Sequence, residues 1–190
     1  MSEENKRSIR ISVRNLVEFV LRSGDIDNRR SGNAQKDAML AGGRIHRKIQ
    51  KRMGSGYRAE VPLKHEVTDD EQEIVLSVEG RADGIFTENG ITVIDEIKGM
   101  YTDVARLEAP IEVHLAQAMC YGYFYCCDKD LDGIRLQLTY CNLETEEIRR
   151  FQEIQTMNEL SEWFAGLIHE YVKWARYLYH NGLRRDESIK

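Results

Sequence analysis

The sequence's clearest chemistry lies in a short stretch: Asp83 in Gly-Arg-Ala-Asp-Gly, then, after twelve residues, Glu96 and Lys98 in Ile-Asp-Glu-Ile-Lys. Alternation along an extended segment puts Ile94, Glu96 and Lys98 on one face and Asp95 and Ile97 on the other. A carboxylate and an ammonium two residues apart at the end of an apolar strand are unusual contents for a core-facing side, because buried charges are costly without partners. A hairpin through Thr87-Glu88-Asn89-Gly90 would bring Asp83 beside Glu96, where two carboxylates repel unless a cation lies with them. Such oxygen donors suit a hard ion, Mg²⁺ or Mn²⁺. The chemistry this set supports is phosphodiester hydrolysis: the cation polarises the phosphate and acidifies a water, while the Lys98 ammonium orients that water and stabilises developing charge. Alone, a Glu-x-Lys is more often a surface ion pair and Asp83 a turn residue, so the pattern gains weight only from what joins it.

Two further groups join it. His46, in Gly43-Arg44-Ile45-His46, lies on a basic helical stretch and could supply a nitrogen ligand, although a lone helical histidine is commonly an ordinary exposed residue. Gln117 and Tyr121 are one helical turn apart on a shared face of an apolar segment, so both need polar partners. Gln117 could hold a phosphate or the carboxylates, or be satisfied by packing.

The elements that must position these groups follow from periodicity. Ser12 caps an amphipathic helix, VRNLVEFVLRS, with Val13, Leu16, Val17, Val20 and Leu21 on one stripe. After the loop SGDIDNRRSGN, a second helix runs from about 34 to 53 and stops at Gly54-Ser55-Gly56. Residues 57–67 and 73–86 read as a hairpin around the polar TDDEQ turn, and Glu88-Asn89-Gly90 turns the chain into a third strand over 91–97. Residues 112–127 form a buried helix and 134–141 a further strand. A last helix spans about 158–179, its Trp163, Phe164, Leu167, Ile168, Tyr171, Trp174 and Leu178 recurring at helical spacing as core rather than a binding platform. The predicted order is α, α, β, β, β, α, β, α, in one domain: a helix and loop over 1–33, a core over 34–145 and a C-terminal helix over 146–190.

Composition narrows the class. At 42% hydrophobic and 31% charged, the 190 residues read as an ordinary globular chain. No apolar run reaches membrane-spanning length and the N-terminus lacks a secretory core, which predicts a cytoplasmic protein without membrane attachment. No GxxxxGK[ST] loop marks a nucleotide-driven motor. The net charge of −5 disfavours phosphate contact overall, but residues 1–52 hold 13 Lys+Arg against 6 Asp+Glu, and Arg44 to Arg58 holds six basic residues and no acid. A phosphate-facing surface beside an acidic remainder is one reading, and solvated helix charges the other.

The ordered set GRIH46, GRAD83G, IDE96IK98 and Q117AMCY121 resembles the RecB-type exonuclease branch of the PD-(D/E)xK nucleases, which includes the CRISPR-associated iron-sulfur exonucleases. The resemblance covers roughly residues 40–145. It implies an α/β, restriction-endonuclease-like αβββαβ core with a mixed central sheet flanked by helices. It implies His46, Asp83, Glu96 and the Ile97 carbonyl as ligands of Mg²⁺ or Mn²⁺, Lys98 as catalytic lysine, and Gln117 and Tyr121 as DNA contacts. Arg44, Arg81 and Glu60 of AEVPL, a recurring acidic position on the first strand, would join them on the substrate. The iron-sulfur members place one cysteine before the core and three after it, whereas Cys120 is the first here, so no iron-sulfur cluster is expected. The stretch SVRNLVEFVLRSGDIDNR is similar to the opening of bacterial Rad3-type helicases that carry a nuclease domain, which implies a helicase partner domain in a longer chain.

The leading expectation is therefore a metal-dependent DNA exonuclease of repair or processing, acting on single strands or ends. The alternative is a nucleic-acid-binding module of a helicase-nuclease that has lost turnover. A structural interaction domain would require the same charges to be exposed and scattered.

Overall fold

In the computed structural model, residues 7–21, 32–69 and 74–187 are described. Ser12 ends a short strand, β1 (Arg7–Ser12), and caps α1 (Val13–Val20), its Oγ accepting from the Asn15 amide at 3.1 Å. Then come α2 (Gly32–Arg52), β2 (Arg58–Asp69), β3 (Ile74–Glu88), β4 (Ile91–Met100), a 3₁₀ turn (Val104–Arg106), α3 (Glu112–Lys129), β5 (Gly133–Asn142), β6 (Ile148–Thr156) and α4 (Met157–Glu187). The run from α2 to β5 has the αβββαβ order expected of the core, with a mixed sheet flanked by helices.

The β3–β4 hairpin closes on two residues, Asn89 and Gly90, both at positive φ (52° and 78°), the pairing that lets a two-residue loop follow the strand twist. β4 and β5 run parallel with α3 as their crossover. β5 is covered on both faces but alternates: Ile134, Leu136, Leu138 and Tyr140 on one face are at most 1% exposed, while Gln137 and Thr139 on the other are buried with hydrogen-bond partners. Burial of each large apolar side chain here contributes roughly 1.5–3 kcal/mol. One sheet face packs on α1, α3 and α4 in a large cluster that includes Ile94, while Ile45 and Ile49 of α2 meet Ile97 and Cys141 on the other. Ile94 and Ile97, an odd number of positions apart on β4, thus serve opposite cores, as strand alternation requires.

Two strands were not foreseen. β1 pairs parallel with β3, Arg7 opposite Ile74, so its pairing is distant in sequence and its six residues offer only Ile9 and Ile11 as local signal. β6 lines the edge beside β5, but its apolar residues, Ile148, Phe151 and Ile154, recur every third position and hide the period of two. Phe164, Leu167, Ile168 and Tyr171 of α4 are buried; Trp174 is 38% exposed with its ring 4.1 Å from that of Phe19. Leu178, the 22–31 loop and most of the TDDEQ turn lie outside the residues whose side chains or course are described. Among the described residues no helix is long and apolar enough to cross a membrane.

Candidate active site

β3 has three partners. β2 covers it from Ile74 to Ile85, so β1 (opposite Ile74–Glu79) and β4 (opposite Gly84–Glu88) must share its other edge. Between them, Gly80 to Asp83 face a fork in the sheet. Tyr121 of α3 fills its upper part: the hydroxyl lies 2.7 Å from where a Cβ on Gly80 would sit, and it shares a hydrogen bond with the Arg81 backbone. Gly80 is required by this close approach. Tyr121 is 6% exposed, so its hydroxyl serves the strand rather than open solvent.

At the base of the fork the β2–β3 ladder skips one pair. Ala59 opposes Gly84 and Val61 opposes Ala82, but Glu60 and Asp83 between them are not paired. Glu60 is turned out of the strand at φ 55°. The freed Asp83 carbonyl accepts instead from Gln50 Nε2 at 3.0 Å, and the same amide donates to Glu60 Oε1 at 3.1 Å. A non-glycine residue in the left-handed region costs about 1–3 kcal/mol. The neighbouring Arg81–Glu60 contact, at 3.8 Å between side chains 63% and 48% exposed, returns well under 1 kcal/mol and does not explain the turn.

Asp83 points both ways. Oδ2 accepts from the Ile97 amide at 2.7 Å, replacing the ladder bond that β3 and β4 no longer make there, and Oδ1 lies 3.3 Å from His46 Nδ1. His46 and Gln50 are four residues apart on α2, so one helix face sends both into the site. Burial pulls the His46 imidazolium down, but the hydrogen bond to and charge of Asp83 outweigh it and hold its pKa above the ordinary value. One ligating atom each from His46, Glu60 and Asp83 lies within 4.8 Å of the others.

Glu96 and Lys98 enter from β4, sharing a face as alternation predicts. Lys98 Nζ sits 2.6 Å from Glu96 Oε1 and donates to Gln117 Oε1 at 2.8 Å. The second Glu96 oxygen, Oε2, is buried and finds no hydrogen-bond partner among the described residues. Burial pushes the Glu96 carboxyl up to about 7, Lys98 opposing and Asp83 adding to the rise. The structure thus brings His46, Asp83, Glu96, Lys98 and Gln117 together and adds Glu60, while Ile97 meets Asp83 through its amide. Arg81 is exposed at the rim. Arg44, also exposed, lines a shallow surface depression with Arg47, Lys48 and Lys51, where Lys48 is drawn to Glu146.

Sequence reasoning missed Gln50 and the groups behind the site. Gln50 carried one signal, its spacing of four from His46. On the far face of β4, Asp95 is fully buried and accepts from Tyr57 Oη at 2.9 Å and Thr139 Oγ1 at 2.7 Å. Beside α3, Tyr140 Oη accepts from the Ile111 amide at 2.9 Å and lies 3.3 Å from His114 Nδ1, an arrangement in which the hydroxyl proton goes to a neutral imidazole. Burial first, then the charges of Lys98 and Arg14, press the His114 pKa down to about 4. A depressed histidine stabilises the fold above its ordinary pKa of 6.5 and ceases to do so as pH falls toward 4. Urea titrations from pH 7 to 4 should therefore show a steeper loss of stability in the natural chain than in His114→Gln, by on the order of 2 kcal/mol after allowance for partial exposure. Parallel pH profiles would remove His114 from this account.

No family model matches the sequence, and no curated protein matches it. Among solved structures, the crystal structure of SSO0001 superposes with a TM-score of 0.56 at 19% identity, covering 90% of this chain and 75% of that one. An alkaline exonuclease (LHK-Exo) from Laribacter hongkongensis gives a TM-score of 0.47 at 13% identity, covering 90% and 94%. The likeness to SSO0001 is one of fold.

Proposed function

We propose that the chain is a divalent-cation-dependent nuclease of DNA, a single catalytic domain that takes single strands or ends, of the RecB-type exonuclease kind its motifs resemble. The observation that carries this reading is Glu96: a buried carboxylate with one oxygen on Lys98 and the other without a hydrogen-bond partner among the described residues, beside the His46–Asp83 pair. An orphaned buried oxygen costs free energy, and a cation is the partner that suits both it and the neighbouring carboxylates. His46, Glu60 and Asp83 each offer one atom within 4.8 Å of the others, and carboxylate oxygens with one imidazole nitrogen fit Mg²⁺ or Mn²⁺. His46, Asp83, Glu96 and the Ile97 carbonyl are the proposed ligands.

When bound, the cation supplies Lewis-acid polarisation of the phosphate and lowers the pKa of a water. The chain's own residues do the rest. Gln117 holds the Lys98 amine through its side-chain oxygen, and that amine, aimed across the Glu96 carboxylate, orients the attacking water and meets charge developing on the phosphate. Glu96 would hold a cation in its ionised form, and since burial pushes its carboxyl up to about 7, binding there would release a proton below that pH. Arg44, Arg47 and Lys51, exposed on α2, attract the strand's phosphates toward His46 on the same helix. A helicase domain in the full-length protein would feed such a site.

Labelled single-stranded and duplex oligonucleotides incubated with Mn²⁺, and again with excess chelator, test the reading. Cleavage should require the ion. Binding without cleavage under all divalent ions would favour the turnover-deficient module instead, and neither binding nor cleavage would remove the DNA assignment.

A further inference from the structure

We propose that Glu60 is a further ligand of this cation and that Gln50 is the positioning residue that delivers it; the inference rests on the cation site described above. Three observations converge. Glu60 turns out of β2 at φ 55°, and the turn falls opposite Asp83, where the ladder loses one pair while its register continues unchanged on both sides. The displaced carboxylate comes within 4.8 Å of the His46 and Asp83 ligating atoms. One side-chain amide, Gln50 Nε2, then ties the two halves of the break together, donating to the Asp83 carbonyl at 3.0 Å and to Glu60 Oε1 at 3.1 Å.

A simple strand defect would leave the Asp83 carbonyl to water and Glu60 free to turn away. Here α2 supplies a donor fitted to both, one helical turn beyond His46. Glu60 Oε2 remains available beyond a long contact to the exposed Arg81. Gln50 thus relates to Glu60 as an outer-shell partner relates to a metal ligand, fixing the carboxylate's orientation before the ion arrives.

Mn²⁺ alone is the probe, its binding to the full chain followed by calorimetry and by the electron paramagnetic resonance of the free ion, with melting of the metal-free protein alongside. Glu60→Gln keeps the side chain's shape and removes its charge; Glu60→Gly removes it and suits the positive φ. Both should weaken Mn²⁺ binding at least tenfold, and Glu60→Gly should melt no lower than the natural chain. Gln50→Ala should lower the metal-free melting temperature by a few degrees, through the two hydrogen bonds it loses, and weaken Mn²⁺ binding by the still-folded protein roughly tenfold, which a merely structural role would not produce. Natural Mn²⁺ affinity in Glu60→Gln and Glu60→Gly, with loss in Asp83→Asn, would overturn the role of Glu60 and leave the cation site standing. Natural affinity in Gln50→Ala would overturn the positioning role. Absence of Mn²⁺ binding in the natural chain would remove both this inference and the reading beneath it.

Discussion

Lys98→Ala is expected to lower DNA cleavage by roughly 1,000-fold, and Asp83→Ala by at least as much, while binding of the same oligonucleotide changes little. The figure is what removal of one preorganised charge from a site that excludes water costs. Lys98 has two contacts to lose, Glu96 Oε1 at 2.6 Å and Gln117 Oε1 at 2.8 Å. Without the ammonium, the force that draws the Glu96 pKa downward disappears and burial prevails, so the carboxyl stays protonated to higher pH and competes poorly for a cation. The variant stays folded because protonation relieves the buried charge. Asp83→Ala acts differently: it removes a proposed ligand, the acceptor of the Ile97 amide and the partner of His46 at one stroke. Initial rates on a labelled oligonucleotide at saturating Mn²⁺, with fluorescence anisotropy for binding, measure both. Unimpaired cleavage in either variant would defeat its assigned role.

Gly84→Ala costs at least about 3 kcal/mol of stability, the largest effect expected from so small a change. A Cβ at Gly84 would lie 1.8 Å from both Cζ and Oη of Tyr57. Overpacking commonly costs about 1–3 kcal/mol when neighbours can shift. Tyr57 cannot shift freely: it is buried, its ring stacks on Phe86 with centroids 5.6 Å apart, and its hydroxyl donates to the fully buried Asp95. Swinging the ring away leaves Asp95 with Thr139 and Gln137 as partners and adds about 1–3 kcal/mol for the lost donor. Urea denaturation of Gly84→Ala, Tyr57→Ala and the pair together makes the test, since relief of one clash by the other should leave the double variant less destabilised than the sum. Strict additivity, or a Gly84→Ala cost below about 1 kcal/mol, would show that Tyr57 does not lock this strand.

Gly84 also shows where sequence legibility ended. Asn89-Gly90, the Ser12 cap and the alternation of β5 each announce themselves within a few residues, because a left-handed turn, an orphan amide and a strand with one apolar face each demand particular residue types. The shared face of Glu96 and Lys98 was legible for the same reason, alternation being a property of the strand alone. Gly84 and Gly80 look like ordinary strand glycines until Tyr57 and Tyr121, far off in sequence, are laid against them. β1 was hidden in the same way, its hydrogen bonds depending on β3 more than sixty residues away. β6 was hidden by its own pattern, whose three-residue apolar spacing imitates a helix.

The chain by itself determined which charged and polar groups were candidates for the site, the order of the elements that carry most of them, and the faces those groups occupy, since all three follow from backbone periodicity and side-chain chemistry. Tertiary structure alone decided that β1 and β4 divide one edge of β3, that the ladder breaks at Glu60 and Asp83, and that Gln50 spans the break. The physical reason is that a break in pairing is a relation between strands: its cost falls on one backbone and its compensation comes from a helix on another part of the chain, so no local stretch of sequence contains both.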